Sequence, residues 1–157
     1  MADRMVAVAA WESLFRAQVS VMRTLHAEFP SDIMSLNEYD VLFNISRAPG
    51  RQLRLKELNR NVLITQPSVS RLVDRLVARG LVRKHDDPDD GRSTIVELTD
   101  EGFALFRTVA IRHMEAITTR VGDALDDAEL RELTELCDRL RESEAATSAP
   151  PAANAHR

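Results

Sequence analysis

Along this chain apolar residues recur with helical spacing toward both ends and alternate only in one short middle stretch. The densest information lies in residues 65–99, TQPSVSRLVDRLVARGLVRKHDDPDDGRSTIVELT. Here Val69, Leu72, Val73, Leu76 and Val77 fall at i, i+3, i+4, i+7 and i+8, which a period of 3.6 gathers into one stripe. Gln66, Ser68, Arg71, Arg75 and Arg79 lie off that stripe, so the spacing predicts a helix with one packing side and one polar, basic side. Gly80 follows where a helix commonly ends in a left-handed residue. After residues 81–83 comes a dense turn signal over 85–91, and then Thr94, Val96 and Leu98 alternate with Ser93, Ile95 and Glu97. This pattern predicts a β-hairpin immediately after the helix.

Elsewhere the periodicity is helical. Residues 2–29 carry Trp11, Phe15, Met22, Leu25 and Phe29 on one stripe, ended by Pro30. Ser35 and Glu38 form a capping-box pair that opens a helix with Tyr39, Leu42, Phe43 and Ile45, finished by Pro49 and Gly50. A short helix over 55–60 points Leu55 and Leu58 inward, and residues 61–64 turn into the basic helix, with Thr65 as N-cap and Pro67 in its first turn. Past Thr99 a helix is expected with Phe103, Phe106, Ala110, Ile117 and Val121 on one side; Asp126 to Glu129 cap a last one bearing Leu130, Leu133, Cys137 and Leu140. From Glu144 the small, Pro-rich tail has almost nothing to bury and is expected to be disordered. The fold class is mainly α with a small β-hairpin (α+β): one domain over 1–143, with a lobe at about 35–99 and long helices at about 2–29 and 100–143, then a tail over 144–157.

Composition narrows this little. At 157 residues, 44% hydrophobic and 29% charged, the chain suits one soluble domain with a real core. No apolar run approaches the roughly 18 to 20 residues of a membrane span, and the N-terminus lacks a cleavable signal, so a cytoplasmic location is expected. The single cysteine, Cys137, excludes an intramolecular disulfide and a thiolate zinc finger.

Charge changes the picture more. The net charge of −4 argues against a nucleic-acid binder, yet residues 51–92 hold ten Lys/Arg against six Asp/Glu, while the rest of the chain holds eleven against nineteen. A basic lobe that meets phosphates, joined to acidic helices, is the reading this segregation supports. Of the four aspartates in the hairpin turn, some are expected to serve the turn by hydrogen-bonding the backbone. Asp90 is expected to orient the Arg92 guanidinium at the hairpin tip, from which an arginine can enter a narrow minor groove. Asp74, among the arginines, is expected to pair with Arg71 or Arg75 across a helical turn.

Three stretches, LNEYDVLFNISRAPG, LRLKELNRNVLITQPSVSRLVDRLVARGLVRK and DGRSTIVELTDEG, resemble the MarR family of winged helix-turn-helix regulators. The last reproduces the family's D-x-R-x-x-x-x-x-L-T wing signature from Asp90 to Thr99. The resemblance covers nearly all of the chain except the tail. It implies a homodimer whose terminal helices intertwine, two winged lobes on one palindromic DNA operator, usually a repressor's role, and often a small aromatic or phenolic ligand. Carried over, it places Gln66, Ser68, Ser70, Arg71 and Arg75 at or near the major groove and Arg92 at the wing tip, with Arg54, Lys56, Thr65 and Pro67 among the DNA-binding positions. The chemistry agrees: Gln pairs with adenine, Arg with guanine, Ser with phosphate or several base edges, whereas Pro67 offers only an apolar contact.

Trp11, Arg16, His26, Asp40 and His113 are the candidates for lining an anion or phenol pocket between the lobes and the dimer helices. A peroxide sensor is disfavoured, since no cysteine lies near the start of the first helix and Cys137 sits among the leucines of the last. Histidines are scattered, so no metal and no cofactor is expected. The alternatives are a helical, dimeric protein-interaction module and a metal- or redox-responsive regulator of the same fold. An enzyme is not expected: there is no nucleophile elbow, phosphate loop or dinucleotide fingerprint, and there are only five glycines.

Overall fold

The computed structural model describes residues 3–62 and 66–148. The chain divides after Ala116 into two compact units. In the first, helix α1 (Arg4–Glu28) starts at Asp3, whose Oδ1 accepts the Met5 and Val6 N–H groups at 2.7 and 3.4 Å. It stops ahead of Pro30, as expected. The stripe assigned to it is mostly uncovered, however: Leu25 and Phe29 are buried, while Trp11 is 63% and Phe15 52% exposed. Helix α2 (Leu36–Arg47) opens on the capping box, in which Ser35 Oγ accepts the Glu38 N–H at 3.2 Å and Glu38 Oε2 accepts the Ser35 N–H at 2.8 Å.

A 3-10 turn (Pro49–Arg51) leads into strand β1 (Gln52–Arg54), helix α3 (Leu55–Asn61) and helix α4 (Gln66–Ala78). Strands β2 (Val82–Asp87) and β3 (Asp90–Leu98) make the hairpin, and α5 (Asp100–Ile117) follows. The sheet has three antiparallel strands in the order β1-β3-β2, with Leu53 and Lys84 flanking Val96. Strand β1 has no counterpart in the sequence pattern. The hairpin turn is also tighter than the turn signal suggests, because His85, Asp86 and Asp87 belong to β2 and only Pro88 and Asp89 turn.

The core lies between α2, α3, α4, α5 and the sheet. Val41, Leu42, Ile45, Leu58, Val69, Leu72, Val73, Leu76, Val96 and Val109 are at most 2% exposed, and each such side chain contributes roughly 1.5 to 3 kcal/mol of burial free energy. Of the α4 stripe only Val77, 38% exposed, turns outward. Because α4 is buried along one whole side, its polar side is presented on a rigid support. Thr99 joins the hairpin to α5: its Oγ1 donates to the carbonyls of Gly80 (2.8 Å) and Leu81 (3.0 Å), and accepts the Gly102 N–H at 2.9 Å. Inside α5, Phe106 and Val109 are buried whereas Ile117 is 37% exposed.

The second unit holds a π-helical turn (Thr118–Gly122) and helix α6 (Asp127–Ser148). Asp126 caps α6 as expected, its Oδ1 accepting the Ala128 and Glu129 N–H groups while Glu129 Oε2 takes the Asp126 N–H. The helix runs past Glu144, the expected start of the tail, to Ser148; residues 149–157 lie outside the described residues. Leu133, Leu136 and Leu140 are 40, 46 and 58% exposed. Among the described residues no helix is long and apolar enough to cross a membrane.

Candidate nucleic-acid interface

With one side of α4 buried, Ser68, Arg71, Asp74 and Arg75 are exposed on the other and Ser70 is half-buried. Thr65 lies outside the described residues, as do the side chains of Gln66 and Pro67. Ser68, Arg71 and Arg75 line a shallow cleft of about 260 Å³ together with Leu72 and Asn37. Asn37, in the first turn of α2, carries no signal in the sequence; only the packing of α2 against α4 brings it there.

Helix α4 ends as its sequence requires. Gly80 adopts φ 73°, the Gly80 N–H reaches the Val77 carbonyl (2.9 Å) and the Leu81 N–H reaches that of Leu76 (3.0 Å), a Schellman closure. The chain thereby reverses directly into β2.

Ion pairs sort the cations of the basic segment. Arg51 pairs with Asp100, Arg54 with Asp87, Arg79 with Glu38, Arg83 with Glu97 and Lys84 with Asp74. Lys56, Arg60, Arg71, Arg75 and Arg92 have no carboxylate within ion-pair distance among the described residues. One expectation is corrected. Asp74 pairs across to Lys84 of β2 at 2.6 Å instead of along α4, because the strand brings an ammonium alongside the helix. Arg54, expected among the DNA-binding positions, has its Nε engaged by Asp87, whose side chain is only 3% exposed, and so braces the hairpin.

At the tip, Asp90 does hold the turn, but not through the Arg92 guanidinium. Its Oδ1 accepts the Arg92 backbone N–H (3.2 Å) and its Oδ2 the Ser93 hydroxyl (2.7 Å). These two bonds, Ser93 first, hold the Asp90 carboxyl below the usual carboxylate range, and the nearby Lys56 charge adds to them. Asp87 is lowered too, by Arg54 first and then by the Asp89 N–H, which its Oδ1 accepts at 2.9 Å. Both carboxylates therefore support the hairpin above the ordinary carboxylate range, and that support is lost as pH falls through their depressed values. Arg92 itself is exposed on the strand that leaves the turn.

The candidate ligand residues fall into two groups. Trp11, Arg16 and His26 are exposed along α1, where Trp11 stacks on Phe15 with centroids 6.1 Å apart. His113 of α5 is half-buried in T-shaped contact with Phe29 and Tyr39, at 5.3 and 5.0 Å, and its Nδ1 is buried without a hydrogen-bond partner among the described residues. Asp40, half-buried, accepts from the Asn44 amide at 3.2 Å. Trp11 and His113 share no ring contact among the described residues.

Burial pushes the His113 pKa down and the Asp40 pKa up. A depressed histidine contributes stability above its unfolded value of about 6.5 and loses it as pH falls toward the folded pKa. Asp40 acts in the opposite sense and in a lower window. The thermal midpoint is therefore expected to drop between pH 7 and 5.5 more steeply in the wild type than in His113→Phe. Equal slopes in a calorimetric series would show that the ring is not held neutral by its surroundings.

The chain is similar to known regulators over most of its length. The sequence profile of the MarR family matches residues 34–93. The HTH-type transcriptional regulator PecS of Dickeya dadantii (strain 3937) is 30% identical over 105 residues, 66% of this chain and 63% of PecS. YhbI, an uncharacterized HTH-type transcriptional regulator of Bacillus subtilis (strain 168), is 30% identical over 111 residues, 71% of this chain and 70% of that protein. Among solved structures, Sco3205, a MarR family transcriptional regulator from Streptomyces coelicolor crystallised in complex with DNA, is 29% identical, with a TM-score of 0.76 over 99% of this chain and 96% of its own. Helix-turn-helix, three-stranded wing and these relatives together establish that the chain belongs to the MarR family of DNA-binding transcriptional regulators.

Proposed function

We propose that the protein is a homodimeric repressor that seats two copies of α4 in successive major grooves of a palindromic operator and is released by a small aromatic or phenolic ligand. The observation that carries the DNA contacts is the sorting of charge. Five of the ten cations in 51–92 are occupied by carboxylates, whereas Arg71 and Arg75 on α4 and Arg92 on the wing are exposed and have none among the described residues. An unpaired, exposed guanidinium on a rigid helix is available for bidentate bonds to guanine, and one on a hairpin for a narrow minor groove. Ser68, Ser70, Lys56, Thr65 and Gln66 complete the proposed interface. The net negative charge of the chain is no obstacle, because most of its acids lie outside 51–92, where Lys and Arg outnumber Asp and Glu ten to six.

Dimerisation is supported by the apolar side chains left uncovered on α1 and α6, and binding of two half-sites about 34 to 36 Å apart needs two lobes. The ligand reading is supported by Trp11, Arg16 and His26, all exposed along α1, and by the aromatic surroundings of His113. Such a ligand releases DNA only to the extent that it binds a different lobe spacing more tightly. The reading places the protein in the cytoplasm with its operator.

The test is a base-substitution binding series on a duplex selected from a random pool. Arg71→Ala and Arg75→Ala should each cost about 1 to 3 kcal/mol and relax preference at one base pair per half-site, while Arg92→Ala should weaken binding according to minor-groove width. Equal losses on every sequence would reduce the three residues to phosphate clamps. In parallel, salicylate-like compounds should release the complex where chelator and hydrogen peroxide do not; release by either of those overturns the ligand class.

A further inference from the structure

We propose that Arg79 is a positioning residue for DNA binding and not a DNA contact: it latches the C-terminal end of the recognition helix to the first turn of α2 and to the segment before it. The proposal rests on the reading of α4 as the groove-entering helix. By sequence Arg79 belongs with Arg71 and Arg75 on the basic side and is an obvious phosphate ligand. The geometry assigns it elsewhere. Its Nη1 donates to Glu38 Oε1 and its Nη2 to the Ile33 carbonyl, both at 3.1 Å and both more than forty positions away in the chain.

Glu38 is built to receive it. Its side chain is 11% exposed, and its second oxygen, Oε2, accepts the Ser35 N–H at 2.8 Å and lies 3.2 Å from Ser35 Oγ. One carboxylate thus closes the α2 capping box with one oxygen and holds the end of α4 with the other. A flat guanidinium holds its N–H groups in fixed directions toward a carboxylate and a carbonyl that lie apart, a geometry that lysine's compact, shorter-reaching ammonium does not reproduce.

What this does follows from where it sits. Immediately after Arg79 the chain reverses at Gly80, a single left-handed residue. Core packing holds α4 along its apolar side, and the latch adds a hold at its C-terminal end; without it the tilt of that end loosens and the side chains of Arg71 and Arg75 shift with it. Base readout tolerates displacements of only about 0.5 Å, so a small change of tilt is felt at the groove. The latch therefore fixes the end of the recognition helix against the start of α2 and the connection before it, and affinity depends on a residue that never meets the DNA.

The experiment uses the full chain and a labelled duplex selected by the wild type from a random pool. Affinity is measured from about 50 to 200 mM salt, at a temperature where circular dichroism shows every variant folded. Arg79→Gln, Arg79→Lys and Glu38→Gln should each lose about tenfold in affinity with the salt slope unchanged, and the Arg79→Gln, Glu38→Gln double variant should be no weaker than either single one. Glutamine at position 38 keeps the capping box, so the loss reports the latch. A phosphate contact gives the opposite pattern: Arg79→Gln lowers the slope by about one unit, Arg79→Lys binds nearly normally, and Glu38→Gln, releasing the guanidinium, tightens binding. That pattern overturns the proposal, as does wild-type affinity in folded variants with only a lowered thermal midpoint. Absence of salt-dependent binding by the wild type overturns the recognition-helix reading itself, and needs no variant to be seen.

Discussion

Replacing Gly102 with alanine should cost this protein about 3 kcal/mol or more and lower its thermal midpoint by roughly 6 to 12 °C. A Cβ there would lie 2.0 Å from the Leu81 carbonyl oxygen, 2.8 Å from its carbon and 3.0 Å from Leu81 Cα. All three atoms are backbone, so no side-chain rotation relieves the clash. The same Leu81 oxygen accepts both the Thr99 N–H (3.1 Å) and the Thr99 hydroxyl (3.0 Å), and that hydroxyl in turn accepts the Gly102 N–H. Pushing α5 away therefore breaks the stitch between the end of the recognition helix and the long helix that follows the wing. Gly91→Ala is the control, since a methyl group at that position would meet nothing within 4 Å and the cost there should be small. Melting curves of the two variants decide the matter; a Gly102→Ala midpoint equal to wild type would mean that the backbone at Leu81 gives way without penalty.

The other large effect concerns the uncovered apolar faces. Val8, Trp11, Phe15 and Met22 follow one another along α1 at steps of three, four and seven, and Leu133, Leu136 and Leu140 follow along α6 at steps of three and four; all are between 40 and 63% exposed. Faces of this kind are stable in water only against a partner, and the proposed partner is a second copy. Leu133→Glu with Leu136→Glu is expected to give a monomer in analytical ultracentrifugation at micromolar concentration. If the proposed operator engages two linked half-sites, losing the link should weaken binding by about 10² to 10⁴-fold while leaving the core of each lobe intact. A wild type that sediments as a stable, folded monomer would remove the basis for both expectations.

The features that can be read from sequence are those whose partners lie within one helical turn or along one strand. The Ser35–Glu38 capping box, the buried stripe Val69, Leu72, Val73 and Leu76, the left-handed Gly80 and the Asp126 cap are of this kind, and each residue's role is settled by neighbours three or four positions away. What escapes depends on contacts between distant segments. Strand β1 is three residues long and exists only because Leu53 pairs with Val96, 43 positions later. Arg54 with Asp87, Asp74 with Lys84 and Arg79 with Glu38 are brought together by the tertiary fold, and nothing in local spacing distinguishes those cations from Arg71 or Arg75. The same limit explains Asp90: proximity in sequence points to the Arg92 guanidinium, whereas the turn geometry puts the Arg92 backbone N–H in reach. The stripe on α1 is legible as apolar, but periodicity cannot say whether the surface that covers it belongs to the same molecule.

The strand order β1-β3-β2 leaves β2 at the outer edge of the sheet, with one row of backbone groups unpaired. An exposed hairpin of this sort is a template onto which a strand from another molecule adds, and proteins blunt such edges with charge. Along β2 the exposed residues are Arg83, Lys84, His85 and Asp86 in succession, with no exposed apolar side chain among them, and a bulge between Asp86 and Asp87 breaks the regular pairing just before the turn. A foreign strand laid alongside would have to place its own side chains against this run of mixed charge and follow the kink. Charge and kink together therefore work against strand addition at this edge of the wing.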